Sequence, residues 1–165
     1  VWRLIYRRLI VDNETLAELL EDQNVYWNDD KAIVDTFVLK TINRFTELST
    51  PAQPLLPEYK SDLDRDFATK LLRRALTGQS YFYELISQNT HGWEFKRIAL
   101  MDRVILQLGL AEITAFPAIP LSVSINEWVE LAKTYSTPKS GKYINATLDA
   151  IAHHLIDEGK LIKEN

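Results

Sequence analysis

The side chains of this 165-residue chain that could do chemistry fall into three groups. They are three histidines, a run of alternating aspartates, and a tract rich in lysine and tyrosine. His91 lies in a loop from Asn89 to Gly92, beside Trp93. His153 and His154 are adjacent on a predicted helix, so their side chains diverge by about 100° and do not easily meet on one metal. Asp149 stands four residues before His153 and can share its face, but no third ligand has a suitable spacing. Solvent-facing or capping roles account for these histidines. Asp62, Asp64 and Asp66 alternate at a helix start. A calcium loop begun at Asp62 would need Gly at its sixth position and Glu at its twelfth, where this chain has Phe67 and Arg73. Acids in a first helical turn are explained by the helix dipole instead. Phosphate-loop, dinucleotide-glycine and serine-elbow patterns are absent from the sequence. No catalytic residue, metal or cofactor is therefore expected.

The stretch from Lys133 to Asn145 is the better candidate. It reads as a helix end, a tight turn holding Pro138, and a new helix start. Free backbone N–H groups at a helix start attract phosphate. Ser140 is placed to cap that helix. Lys139 and Lys142 add positive charge, and Tyr135 and Tyr143 could stack on unpaired bases. Asn145 could read a base edge or close a hydrogen bond inside the turn. The chemistry indicated is binding of a single-stranded nucleic acid. A purely internal reading competes with it, with Tyr143 in the core and Asn145 tying the loop to the preceding helix.

Helices must position that tract. Glycine is scarce, at 5 residues, and no run of alternating apolar and polar residues marks a strand. Asn28 or Asp29 can cap a helix running to about Leu48, with Ile33, Phe37, Val38, Ile42 and Phe45 on one face. Pro51, Pro54 and Pro57 make the segment from Thr50 to Tyr59 a linker. Ser61 and Asp64 predict a helix start, and Gly78 its end after Thr77. A short helix is expected from about Ser80 to Gln88, then a long apolar one from about Glu94 to Ala115. Apolar residues on more than one face of the long helix place it at the centre of a bundle. Two further helices are expected, about Ser124 to Tyr135 and Ser140 to Asp157. A faint repeat at an offset of 66 residues pairs Tyr6–Ile10 with Leu72–Leu76, Glu18-Leu19 with Glu84-Leu85, and Trp27 with Trp93. It suggests one helix–turn–helix–long-helix unit used twice. On that reading Arg7 and Arg8 form the polar face of a packed helix.

Bulk properties fit an ordinary globular protein of one domain, or one domain plus a helical extension. Hydrophobic residues make up 46% and charged residues 25%. No stretch is long and apolar enough to span a membrane, no secretory signal is visible, and there is no cysteine, which fits a cytoplasmic location. The first residue is Val, so an upstream segment is expected. The net charge of -4 argues against bulk attraction to nucleic acid. Its distribution matters more. Arg3, Arg7 and Arg8 lie in an acid-free stretch from Val1 to Val11, and Lys133, Lys139 and Lys142 in another from Leu131 to Leu148. These two stretches carry +6, so a net -4 leaves -10 on the remainder. A basic tract on an acidic body can bind phosphate locally; the same lysines also suit a solvated helix face.

From Asp102 to about Ile151 the residues follow a long ordered pattern. Val123-Ser124-Ile125-Asn126-Glu127-Trp128-Val129-Glu130-Leu131-Ala132-Lys133 is followed, after a short loop, by Tyr143-Ile144-Asn145 and Leu148-Asp149. This resembles the NusB family, whose pattern there is V-x-I-N-E-x-(I/V)-E-L-A-K and then K-F-(V/I)-N-G-x-L-D. Tyr26-Trp27-Asn28-Asp29-Asp30, Thr36–Ile42 and Gln53–Pro57 resemble the longer NusB-like proteins of Bacteroidetes-type bacteria. The resemblance covers most of the chain, most closely from Trp93 onward, and the chain looks like the C-terminal part of such a protein.

The resemblance implies an all-α fold, a NusB-like helical bundle with an additional N-terminal helical repeat. The expected division is an N-terminal helical segment over 1–49, a Pro-rich linker over 50–60, and an RNA- and protein-binding domain over 61–165. The implied role is non-enzymatic: ribosomal RNA transcription antitermination in the cytoplasm. Implied partners are a single-stranded boxA-type RNA, the ribosomal small-subunit protein NusE and the RNA polymerase antitermination complex. A homodimer stays open. Carried over from the family, the RNA contacts are Lys139, Ser140, Lys142, Tyr143 and Asn145, and Asp102 lies toward the protein partner. Two departures stand out. The arginine-rich first helix of the family is not found here, which predicts weak RNA affinity for this chain. The glycine after the family's Asn is Ala146 here, which predicts altered helix packing. Two rival functions remain: a helical scaffold without RNA binding, and the RNA-recognition domain of a ribosomal RNA-modifying enzyme. The second is disfavoured because no cofactor domain follows before Asn165.

Overall fold

The computed structural model describes residues 1–90 and 95–163. His91, Trp93 and the expected helix start at Glu94 lie outside the described residues. The regular elements among the described residues are all helical, with no strand among them. The chain divides into two compact units, Val1–Lys60 and Ser61–Asn165.

The first unit holds α1 (Trp2–Tyr6), a π-helical turn (Arg7–Val11), α2 (Glu14–Gln23) and α3 (Trp27–Ile42). Asn13 caps α2, its side chain accepting the Leu16 N–H at 3.0 Å and donating to the Leu9 carbonyl at 3.2 Å. A buried Asp35 ties the elements together. It accepts the Tyr6 hydroxyl at 2.8 Å and pairs with Lys31 at 2.7 Å. Lys31 also reaches the carbonyls of Ile10 and Val11 at the end of the π-helical turn. The Tyr6 phenol is pushed up to about 12, by burial first and then by the hydrogen bond and negative charge of Asp35. α3 ends at Ile42, short of the expected Leu48. Thr41 returns its hydroxyl to the Phe37 carbonyl, and Arg44 and Phe45 then bond three residues back, a tightening turn that closes the helix. The Pro-rich segment belongs to this unit. Leu55 and Leu56 line an apolar groove of about 790 Å³ along α3, with Ile33, Phe37 and Ile42. Trp2, Leu9, Ile33 and Phe45 are at least half exposed.

The second unit contains α4 (Asp62–Thr77), α5 (Gln79–Asn89), a 3₁₀ turn (Phe95–Arg97), α6 (Leu100–Ala115), α7 (Leu121–Tyr135) and α8 (Ser140–Asp157). α4 opens with the capping box read from the sequence. The Asp64 N–H reaches the Ser61 hydroxyl at 3.4 Å, and the Ser61 N–H reaches the Asp64 carboxylate at 2.9 Å. Gly78 closes it, and a Cβ there would fall 2.6 Å from the Phe82 ring. α6 begins at Leu100 rather than near Glu94, because Ala99 is extended (ψ 144°). Ile98 still packs on the core from outside the helix, so the apolar pattern runs on across the break.

α6 is the centre of the bundle and packs on α4, α5, α7 and α8. Leu106, Leu110 and Ile113 are fully buried beside Phe82, Ile144 and Leu148 from neighbouring helices. Gly109 brings α6 against the others, since a Cβ there would sit 3.0 Å from a Leu148 methyl. Polar ties cross the interior. Gln107 donates to the Ala75 carbonyl at 2.9 Å, and the Trp128 indole donates to Glu112 at 3.1 Å. After α8 the chain folds back, with Leu161 buried and Lys163 donating at 2.9 Å to the carbonyls of Phe116 and Ile119. Ala146, where the family pattern has glycine, is exposed on α8.

The repeat shows in element order. Helical segments at 2–11, 14–23 and 27–42 precede three at 62–77, 79–89 and 100–115. The offset of 66 residues places the second pair to within one residue and the third seven residues too early, and Trp93 itself lies outside the described residues.

Candidate nucleic-acid interface

The α7–α8 corner is built around Asp102. This residue sits in the first turn of α6, where the helix dipole favours an acid, and is only 8% exposed. One carboxylate oxygen accepts the Ser136 hydroxyl at 2.6 Å and the other accepts the Ser140 hydroxyl at 3.0 Å. Ser136 ends α7 and Ser140 opens α8, so one acid holds both ends of the four-residue turn between them.

A hydroxyl has one proton and two lone pairs. The Ser140 hydroxyl has Asp102 at 3.0 Å and the Ser136 oxygen at 3.1 Å as acceptors for its one proton, the charged carboxylate being the stronger. The Ser140 oxygen accepts the Thr137 N–H at 3.2 Å and lies 2.8 Å from the Thr137 hydroxyl. All of its bonding capacity is used inside the corner, and the residue is 2% exposed. Ser140 therefore organises the turn rather than offering its hydroxyl outward. Lys139, not Ser140, takes the cap position. Asp102, expected toward a protein partner, accepts one hydroxyl of this turn on each carboxylate oxygen.

Lys139, Lys142 and Asn145 are exposed, at three-residue steps along one side of the helix start. Gly141 is buried against α7, and a Cβ there would meet Lys133 Cγ at an ordinary contact distance of 3.4 Å. Lys133 is exposed but bonded to Glu130 at 2.5 Å. Tyr143 is half-buried and packs against the core, while Tyr135 at the end of α7 is exposed. Of the two tyrosines, Tyr135 is therefore the open ring, which the tract's spacing did not distinguish. Asp149 follows on α8 and pairs with His153 at 3.4 Å, and His154 with Glu158 at 3.6 Å. Among the described residues no three His, Cys, Asp or Glu side chains gather as a metal site, and no helix is long and apolar enough to cross a membrane.

Fold and corner together define an all-α bundle protein whose polar candidate site is an outward turn and helix start. The NusB family model matches residues 5–153. The transcription antitermination protein NusB of Salinibacter ruber is 41% identical over 99 residues, 60% of this chain and 62% of that protein. The protein of the same name from Carboxydothermus hydrogenoformans is 42% identical over 93 residues, 56% of this chain and 64% of that protein. The solved NusB of T. maritima superposes with a TM-score of 0.55 at 34% identity, over 59% of this chain and 69% of that one. The chain belongs to the NusB family. It spans just under two thirds of the length of those two relatives.

Proposed function

We propose that this chain acts in cytoplasmic transcription antitermination, as part of an RNA polymerase antitermination complex, by binding a boxA-type single-stranded RNA together with NusE. The observation that carries the reading is the family match over residues 5–153, with relatives named for antitermination. The corner supports it physically. Lys139 and Lys142 project from a turn that buried hydrogen bonds hold in place, so little ordering is needed to present both charges to a phosphate backbone. Asn145 extends the same exposed row, and Tyr135 offers an open ring for stacking.

The test is titration of a fluorescent boxA-type RNA at two salt concentrations, with and without NusE. Binding is expected to weaken with salt and strengthen with NusE. Lys139→Ala and Lys142→Ala should each lower the salt slope by about 0.7 if each lysine contacts one phosphate. Absence of binding at low salt under both conditions would sink the reading. A helical scaffold without RNA binding is the alternative, favoured by the acidic balance and by the pairing of Lys133 with Glu130. It predicts NusE binding without salt-dependent RNA affinity.

A further inference from the structure

Asp102 presents a physical oddity in a surface meant to bind an anion. A buried carboxylate, bonded to two hydroxyls, lies directly under the helix start that carries Lys139 and Lys142. By charge alone it should weaken phosphate binding at that start. Its bonding explains its presence. Ser136 and Ser140 lie 34 and 38 residues away from it in sequence, and Asp102 holds the hydroxyls of both. Ser140 in turn holds the Thr137 N–H. The turn between α7 and α8 is thus fixed to the central helix α6 at both ends, and the exposed lysines inherit their position from that attachment.

We propose that Asp102 is a positioning residue for RNA binding, acting through Ser136 and Ser140 on the turn that presents Lys139 and Lys142. This rests on the RNA-binding reading above. It assigns Asp102 to the RNA surface, by way of the turn, rather than to a protein contact. The two views of Asp102 differ in sign. If the carboxylate acted only as a nearby negative charge, its removal would leave RNA binding unchanged or tighten it. If it sets the turn, its removal weakens binding although the surface becomes less negative.

The experiment compares the full chain with Asp102→Asn, Ser140→Ala and Asp102→Glu, by RNA titration across a salt series. Folding of each variant is checked by circular dichroism at the titration temperature. Asp102→Asn keeps the shape and one acceptor oxygen but loses the charge that strengthens both hydrogen bonds. It is expected to weaken boxA-type RNA binding by about tenfold, within the coupling range of one hydrogen-bond network, and to flatten the salt slope as the lysines lose register. Ser140→Ala should act in the same direction, and the double variant by less than the sum of the two. In a Lys139→Ala/Lys142→Ala background, Asp102→Asn should have no further effect. Asp102→Glu should recover part of the affinity. Trp128→Phe, which loosens the far end of α6, is the control for general destabilisation and should leave the affinity and slope of the folded protein unchanged. Wild-type affinity or better in folded Asp102→Asn overturns the inference while leaving RNA binding intact. An equal loss in Trp128→Phe also overturns it, because the effect would then be stability alone. Absence of RNA binding by the wild-type chain overturns the reading itself, and this inference with it.

Discussion

Single residues in this protein act through partners that are distant in sequence. Trp128 and Glu112 are 16 positions apart, and both are buried. Trp128→Phe removes the indole donor and leaves a buried carboxylate without it, a loss of about 1–3 kcal/mol. Urea unfolding measures this, and adding Glu112→Met should recover part of it by removing the orphaned acid. Gly109 poses a steric question. An added methyl would lie 3.0 and 3.1 Å from the two methyls of Leu148, which is fully buried and has little room to yield. Gly109→Ala is expected to destabilise by about 1–2 kcal/mol, because overpacking outweighs the roughly 1 kcal/mol gain in helix propensity. Tyr6 adds a pH effect in the first unit. Its phenol is held protonated up to about 12, against an ordinary 10.0. Between those values the folded chain keeps a proton that the unfolded chain releases, so stability is intact below about pH 10 and falls as pH rises toward 12. Tyr6→Phe should flatten that alkaline limb of the stability curve, read by thermal unfolding across the pH range.

At the scale of elements, helix boundaries followed local chemistry where a cap was present. Ser61 and Asp64 lie three residues apart, and their reciprocal bonds form in the structure. Ser61→Ala should therefore cost about 1 kcal/mol, seen as a lower midpoint in urea with an unchanged slope. Gly78 was legible for the same reason, since the end of α4 depends on a few neighbouring residues. The ends of α3 and the start of α6 were not. Apolar spacing continued past both breaks, through Phe45 in one case and Ile98 in the other. A periodic pattern reports which residues face a neighbour. It does not report whether the backbone between them is helical.

At the scale of the molecule, the two units differ in where they keep apolar surface. Every buried apolar side chain of the core lies between Leu71 and Leu161, and the buried residues of the first unit are Asp35 and Thr41 among those described. A fragment of residues 61–165 should accordingly unfold in one cooperative transition by circular dichroism, whereas 1–60 alone should melt broadly, because burial of apolar area is the main driving force. Cooperative melting of the 1–60 fragment would show that its Tyr6–Asp35–Lys31 cluster and exposed helix faces suffice.

The sequence by itself determined that the chain is helical, where α4 begins and ends, and that the long apolar helix is central. Each follows from residues within a turn or two of one another, or from the breadth of an apolar face. It also drew attention to the tract from Lys133 to Asn145 through residue types alone. Only the tertiary structure decided which members of that tract look outward. Ser140 and Tyr143 turn inward and Lys139, Lys142 and Asn145 outward because α8 packs on α6 and α7. The hydrogen bonds of Asp102 were hidden from the sequence for the same reason. Its hydroxyl partners are 34 and 38 residues away, and no local spacing rule reaches across that distance.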